Sequence, residues 1–148
     1  MFRRFKAGAT FTIMVLLLAG LAACATETAP KLSIQDPWAR PAATGGNAVV
    51  YFTLVNKGNT SDVLVSASSD AAETVGIHET QMDEGIIHMV PVSPIEIPAG
   101  GRVELKPGGF HVMLVELKQD LNPGGTVSMT LRFGKSVEIT VEAEVREP

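Results

Sequence analysis

Turn chemistry recurs along this chain at intervals too short for helices. Asn56-Lys57-Gly58-Asn59, Met82-Asp83-Glu84-Gly85, Pro98-Ala99-Gly100-Gly101, Pro107-Gly108-Gly109 and Pro123-Gly124-Gly125 each close a run of β-branched and apolar residues. The runs are "AVVYFTLVN" (48–56), "DVLVSAS", "ETVGIHETQ", "GIIHMVPV", "IEI", "RVEL", "FHVMLVELK", "TVSMTLRF" and "SVEITVEAEV". Short strands at this spacing, without helical periodicity, predict an all-β single domain of seven to nine strands, an antiparallel Greek-key sandwich or barrel. No repeat and no second domain is visible. "IQDPWARPAATGGNA" (34–48) carries prolines and glycines that exclude a helix, and Trp38 reads as a plug in the core or at its rim.

The N-terminus is set apart from this pattern. "MFRRFK" is basic, and the 17 residues that follow are uncharged and mostly apolar, at the short edge of the roughly 17–25 a spanning helix needs. The run ends in small residues, as a secretory signal does. Leu21-Ala22-Ala23-Cys24 resembles a bacterial lipobox, so residues 1–23 are expected to be a lipoprotein-type signal peptide. Cys24 is then the lipidated (palmitate-bearing) first residue, 24–33 a flexible tether and 34–148 the folded domain. An uncleaved signal anchor is the alternative, and both readings export the domain. The expected place is the periplasmic face of a bacterial membrane, or free periplasm without the lipid.

Cleavage removes Arg3, Arg4 and Lys6, leaving nine basic against sixteen acidic side chains, a net charge of −7. That balance argues against nucleic acid or an anionic lipid surface as partner. Cys24 is the only cysteine, which excludes an internal disulfide, a cysteine nucleophile and thiolate metal sites within the fold.

One stretch departs from ordinary strand patterning. In "GFHVMLVELK" (109–118), Phe110, Val112 and Leu114 share one face, while His111 and Met113 share the other. Beyond the signal the chain has three His (78, 88, 111) and four Met (82, 89, 113, 129), six of them between 78 and 113. Met129 aligns with Val127, Leu131 and Phe133 as core. If residues 82–85 form a four-residue hairpin loop, His78 lies opposite Met89, and His88 pairs with Glu79 on the reverse face. Two His/Met pairs, if brought together, make an N2S2 site. Thioethers suit Cu(I), zinc favours carboxylate or thiolate beside histidine, and blue copper needs the missing cysteine. The pattern therefore points to Cu(I) that is held rather than used for electron transfer. The competing account treats the methionines as gap-fillers in a core, and patterning does not show that the pairs converge.

These residues bear a family resemblance. His78, ten residues, Met89, twenty-one residues, His111, one residue, Met113 resembles the H-x10-M-x21-H-x-M signature of the periplasmic copper chaperones known as PCu(A)C. "DPWAR", "AVVYFTLVNKG", "IHET", "IPAGGRVELKPGGFHVMLVELK" and "VSMTLRF" extend the likeness over nearly all of 34–148. The resemblance implies a cupredoxin-like barrel with Cu(I) on His78, Met89, His111 and Met113 near the surface. It also implies copper delivery to the copper-site subunit of cytochrome c oxidase, directly or with Sco-type thioredoxin-like proteins, and no enzymatic activity. Some family sequences carry a further Met beside the first His, where this chain has Glu79. Met82 and His88 stand outside the motif, as bystanders or as auxiliary ligands of a second, Cu(II) site. Copper storage or resistance, a metalloenzyme using Glu79 or Glu84, and a metal-free adhesion or assembly module are the alternative functions. The Pro107-Gly109 turn is expected to put the site at a barrel end.

Overall fold

The computed structural model describes residues 29–148; the signal peptide and Cys24 expected from the sequence lie outside them. Ten strands follow in order: β1 Leu32–Ala39, β2 Ala48–Asn56, β3 Asp62–Ser68, β4 Ala72–Asp83, β5 Ile86–Pro91, β6 Ile95–Ile97, β7 Arg102–Leu105, β8 Phe110–Leu117, β9 Thr126–Phe133 and β10 Ile139–Val145. They form one curled sheet in the order β5-β4-β8-β7-β2-β1-β10-β9-β3-β6, with β8 also pairing β2. The architecture is the all-β barrel expected from the turn spacing, and the cupredoxin-like one that the resemblance implies.

Alternation builds the core. β9 buries Val127, Met129, Leu131 and Phe133 and leaves the residues between exposed or half-buried, and β10 matches it with Val141, Ala143 and Val145. Val50, Phe52 and Leu54 of β2 and Val112 and Leu114 of β8 fill the centre of the same cluster. Met129 is thus core, as its register predicts.

The count of seven to nine strands falls short at β1. This strand starts at Leu32, inside the stretch expected to be tether. It also accommodates Pro37 through a bulge between Gln35 and Trp38, with Asp36 at a φ of 47°. A proline is tolerated at a bulge because the ladder is already interrupted there. Parallel pairing of β1 with β10 and antiparallel pairing with β2 then bury Ala39 completely. Trp38 sits at the rim, tilted against Tyr51 at 4.8 Å, with the Arg146 guanidinium 5.4 Å above its ring. Arg146 also pairs with Asp36 at 3.1 Å, closing the bulge against the last strand.

Two buried polar side chains organise the loops. Asn56 accepts the Lys31 and Gly58 amides and donates to the Thr60 carbonyl, so the chain's entry into β1 is tied to the turn after β2. Asp62 accepts the amides of Val63, Lys135 and Ser136, each at 2.8 Å. Burial alone would raise its pKa, but these hydrogen bonds win and hold the carboxyl below its ordinary range.

Candidate metal centre

The β4–β5 hairpin turns through two residues, Glu84 and Gly85, not the four expected. Both have positive φ, 48° and 83°, as in type I′ turns, whose twist matches that of the flanking strands. The register shifts accordingly. His78 lies opposite Pro91, Met89 opposite Thr80, and His88 opposite Gln81 rather than Glu79. A two-residue shift preserves the side-chain period, so His78 and Met89 still share a face, now diagonally, and His88 still points to the other.

The sheet order supplies what patterning did not. β4 lies between β5 and β8, and its pairing with β8 sets His78 directly opposite His111 and Gly76 opposite Met113. The two imidazoles stack at 5.9 Å between centroids with planes 19° apart. Met113 lies one diagonal step from His78 on one side and Met89 one on the other, distances of roughly 7–8 Å between backbones. All four expected ligands therefore occupy one patch of the outer sheet face. Met82 shares that face at the hairpin tip, four residues (roughly 13 Å) beyond His78, and is 73 % exposed.

The turn before β8 corrects a further expectation. β7 and β8 succeed one another along β2, pairing its residues 52–55 and 48–50 respectively. Lys106–Gly109 is thus an excursion midway along β2, and the site lies on the barrel wall rather than at its end. This excursion orients His111. The Gly109 carbonyl accepts the Thr80 amide at 3.0 Å and the His111 Nδ1–H at 3.1 Å. A carbonyl only accepts, so Nδ1 of the neutral ring carries the proton and Nε2 keeps its lone pair.

That lone pair has no partner. His111 is 2 % exposed, and its Nε2 and the Nδ1 of His78 are buried without a hydrogen bond. A buried polar atom left unpaired costs about 1–3 kcal/mol, and two on facing rings suit a ligand that accepts two lone pairs. Among the described residues no three His, Cys, Asp or Glu side chains gather as a metal site. Met113, half-buried, and Met89, 52 % exposed, are the soft donors alongside. Tyr51 covers His111 edge-on at 6.5 Å; burial raises its pKa, and the charge of Arg40 partly offsets this. No pattern in the sequence singles out Tyr51, which reads as one more residue of an apolar strand.

An outer-face pair of imidazoles flanked diagonally by thioethers, on an all-β barrel without internal cysteine, is a donor set suited to a soft metal ion. The chain belongs to the family described as "Putative lipoprotein LpqE-like", whose model matches residues 32–145, and with its structural neighbours this places it among PCu(A)C domains. The copper-bound PCuAC domain from PmoF2 is 32 % identical, with a TM-score of 0.65, covering 80 % of this chain and 94 % of that one. Cu(I)-loaded DR1885 from Deinococcus radiodurans is 31 % identical, with a TM-score of 0.53 over 84 % of this chain and 85 % of that one. The uncharacterized protein RP573 of Rickettsia prowazekii is 39 % identical over 115 residues, 74 % of this chain and 64 % of that longer protein.

Proposed function

We propose that this protein is an extracytoplasmic copper chaperone that holds one Cu(I) on His78, His111, Met89 and Met113 and passes it to the copper centres of a respiratory oxidase, directly or with a Sco-type protein. The observation that carries the reading is the facing imidazole pair with its two unpartnered nitrogens. The PmoF2 domain, described as copper-bound, and DR1885, described as CuI-bound, are its structural neighbours and support copper as the ligand.

The ligand types explain holding without chemistry. Two neutral imidazoles and two neutral thioethers add no charge, favour the soft monovalent ion and leave Cu(I) its single positive charge. The ligands also differ in mobility. His111 is fixed by Gly109 and enclosed, whereas Met89 stands on β5, the exposed edge of the sheet. Met89 is accordingly the first ligand an acceptor replaces, and His111 the last to let go. His88, turned to the reverse face, takes no part in this site; an auxiliary Cu(II) site there would draw on its imidazole with Glu79 and Gln81 oxygens. Lipidation at Cys24 completes the proposal and is supported by the lipobox and by the lipoprotein description of the family. It would keep the domain at the membrane in which oxidases sit.

Anaerobic titration of the purified protein against a competing Cu(I) chelator, with native mass spectrometry for stoichiometry, tests the reading. One Cu(I) per chain and weak Zn(II) binding are expected, because half the ligands are thioethers. Zinc binding as tight as copper binding would contradict it.

A further inference from the structure

The outer face of β4 carries a gap beside the imidazole pair. Gly76 sits in the strand interior, where glycine contributes no packing and weakens the ladder. Its φ is not positive, so backbone conformation does not call for glycine. Space does. A Cβ built on Gly76 would lie 2.8 Å from Cε1 of His78, 3.5 Å from Nδ1 and 3.7 Å from Nε2. Cβ contacts below 3.0 Å essentially do not occur in proteins, so the outer edge of the His78 ring rests where a side chain would stand. Directly across the ladder from this gap is Met113.

We infer that Gly76 is a positioning residue of the metal centre: its bare Cα keeps open the slot in which the His78 ring lies parallel to His111 and beside Met113. The inference rests on His78 being a ligand. A side chain at 76 evicts the ring by rotating it about its own flexible bonds, which leaves the strands undisturbed. The rotation takes the His78 ring, with its unpaired Nδ1, out of its stacked position against His111. Gly76 thus acts through His78 and touches no metal itself.

Three measurements on Gly76→Ala test this. Its melting temperature should be no lower than that of the parent, since alanine is the better strand residue once the ring has moved. Its Cu(I) affinity should fall by about tenfold or more, the usual cost of losing support for a metal ligand. In the metal-free parent a nuclear Overhauser contact should join His78 Hε1 to the Gly76 α protons, and no matching contact with the substituted position should survive in the variant. A double-mutant cycle separates this role from a general structural one. In a His78→Ala background, where no ring remains to collide, Gly76→Ala should change Cu(I) affinity no further. His78→Ala by itself tests the ligand assignment, so a wrong assignment and a wrong role for Gly76 give different results. The inference is overturned if the parent lacks the proton contact, if Gly76→Ala binds Cu(I) as tightly as the parent, or if its effect persists without His78.

Discussion

His111 is oriented before any metal arrives. Its Nδ1–H is committed to the Gly109 carbonyl, and Tyr51 and His78 flank the ring. The thioethers have no such restraint, which makes them the residues to change. Met89→Leu and Met113→Leu nearly conserve volume, a swap that usually costs less than about 1.5 kcal/mol of stability. Each should keep the fold and weaken Cu(I) binding markedly, whereas Met82→Leu, at the hairpin tip, should leave binding unchanged. Chelator competition reads all three, and damage from Met82→Leu alone would move the site along the hairpin. A second residue-scale expectation concerns Asp62. Burial would raise its folded pKa, but the Ser136 side chain and three amide donors together outweigh it and depress the pKa. Its stabilising contribution is therefore complete above the unfolded carboxyl pKa and disappears as pH falls through the lower folded value. Asp62→Ala should cost about 1–3 kcal/mol at neutral pH, and its melting curve should converge with the parent's in acid. A constant difference down to about pH 2, below the ordinary carboxyl range, would assign the loss to packing instead.

At the scale of elements, the β4–β5 hairpin separates what was legible in the sequence from what was not. That His78 and Met89 share a face followed from alternation together with the four-residue loop assumed at 82–85, and it survives the shift to a two-residue turn because the shift in register is even. The turn did not, because "MDEGI" contains no Asn-Gly or Asp-Gly pair at its centre and Glu84 takes a left-handed conformation that glutamate rarely adopts. Glu84→Asn, matching the residue preferred at the first position of a type I′ turn, should stabilise the hairpin by about 1 kcal/mol. Slower amide exchange in residues 86–90 would report this. Faster exchange, or a change in which residue opposes Met89, would count against the two-residue turn. β1 was hidden for a related reason: Pro37 and Asp36 obscure a strand that the bulge makes possible. The convergence of the two His/Met pairs could not be read either, since β4 and β8 are far apart in sequence and only the sheet order makes them neighbours.

At the scale of the whole molecule, the barrel divides its two faces between two tasks. Every strand except the exposed β5 contributes to one apolar cluster, which holds the domain together without a disulfide. The outer face of β5, β4 and β8 carries the four proposed ligands, with the enclosed imidazole on an inner strand and the exposed thioether on the edge strand. Spacing H-x10-M-x21-H-x-M thereby describes three adjacent strands, which is why a linear motif locates a patch on a folded wall. X-ray absorption at the copper edge on the Cu(I)-loaded protein tests the ligand set most directly. The account predicts a first coordination shell of two nitrogen and two sulfur scatterers, with one sulfur lost in Met89→Leu and another in Met113→Leu. A shell of nitrogen and oxygen alone, or one unchanged by both substitutions, would contradict it.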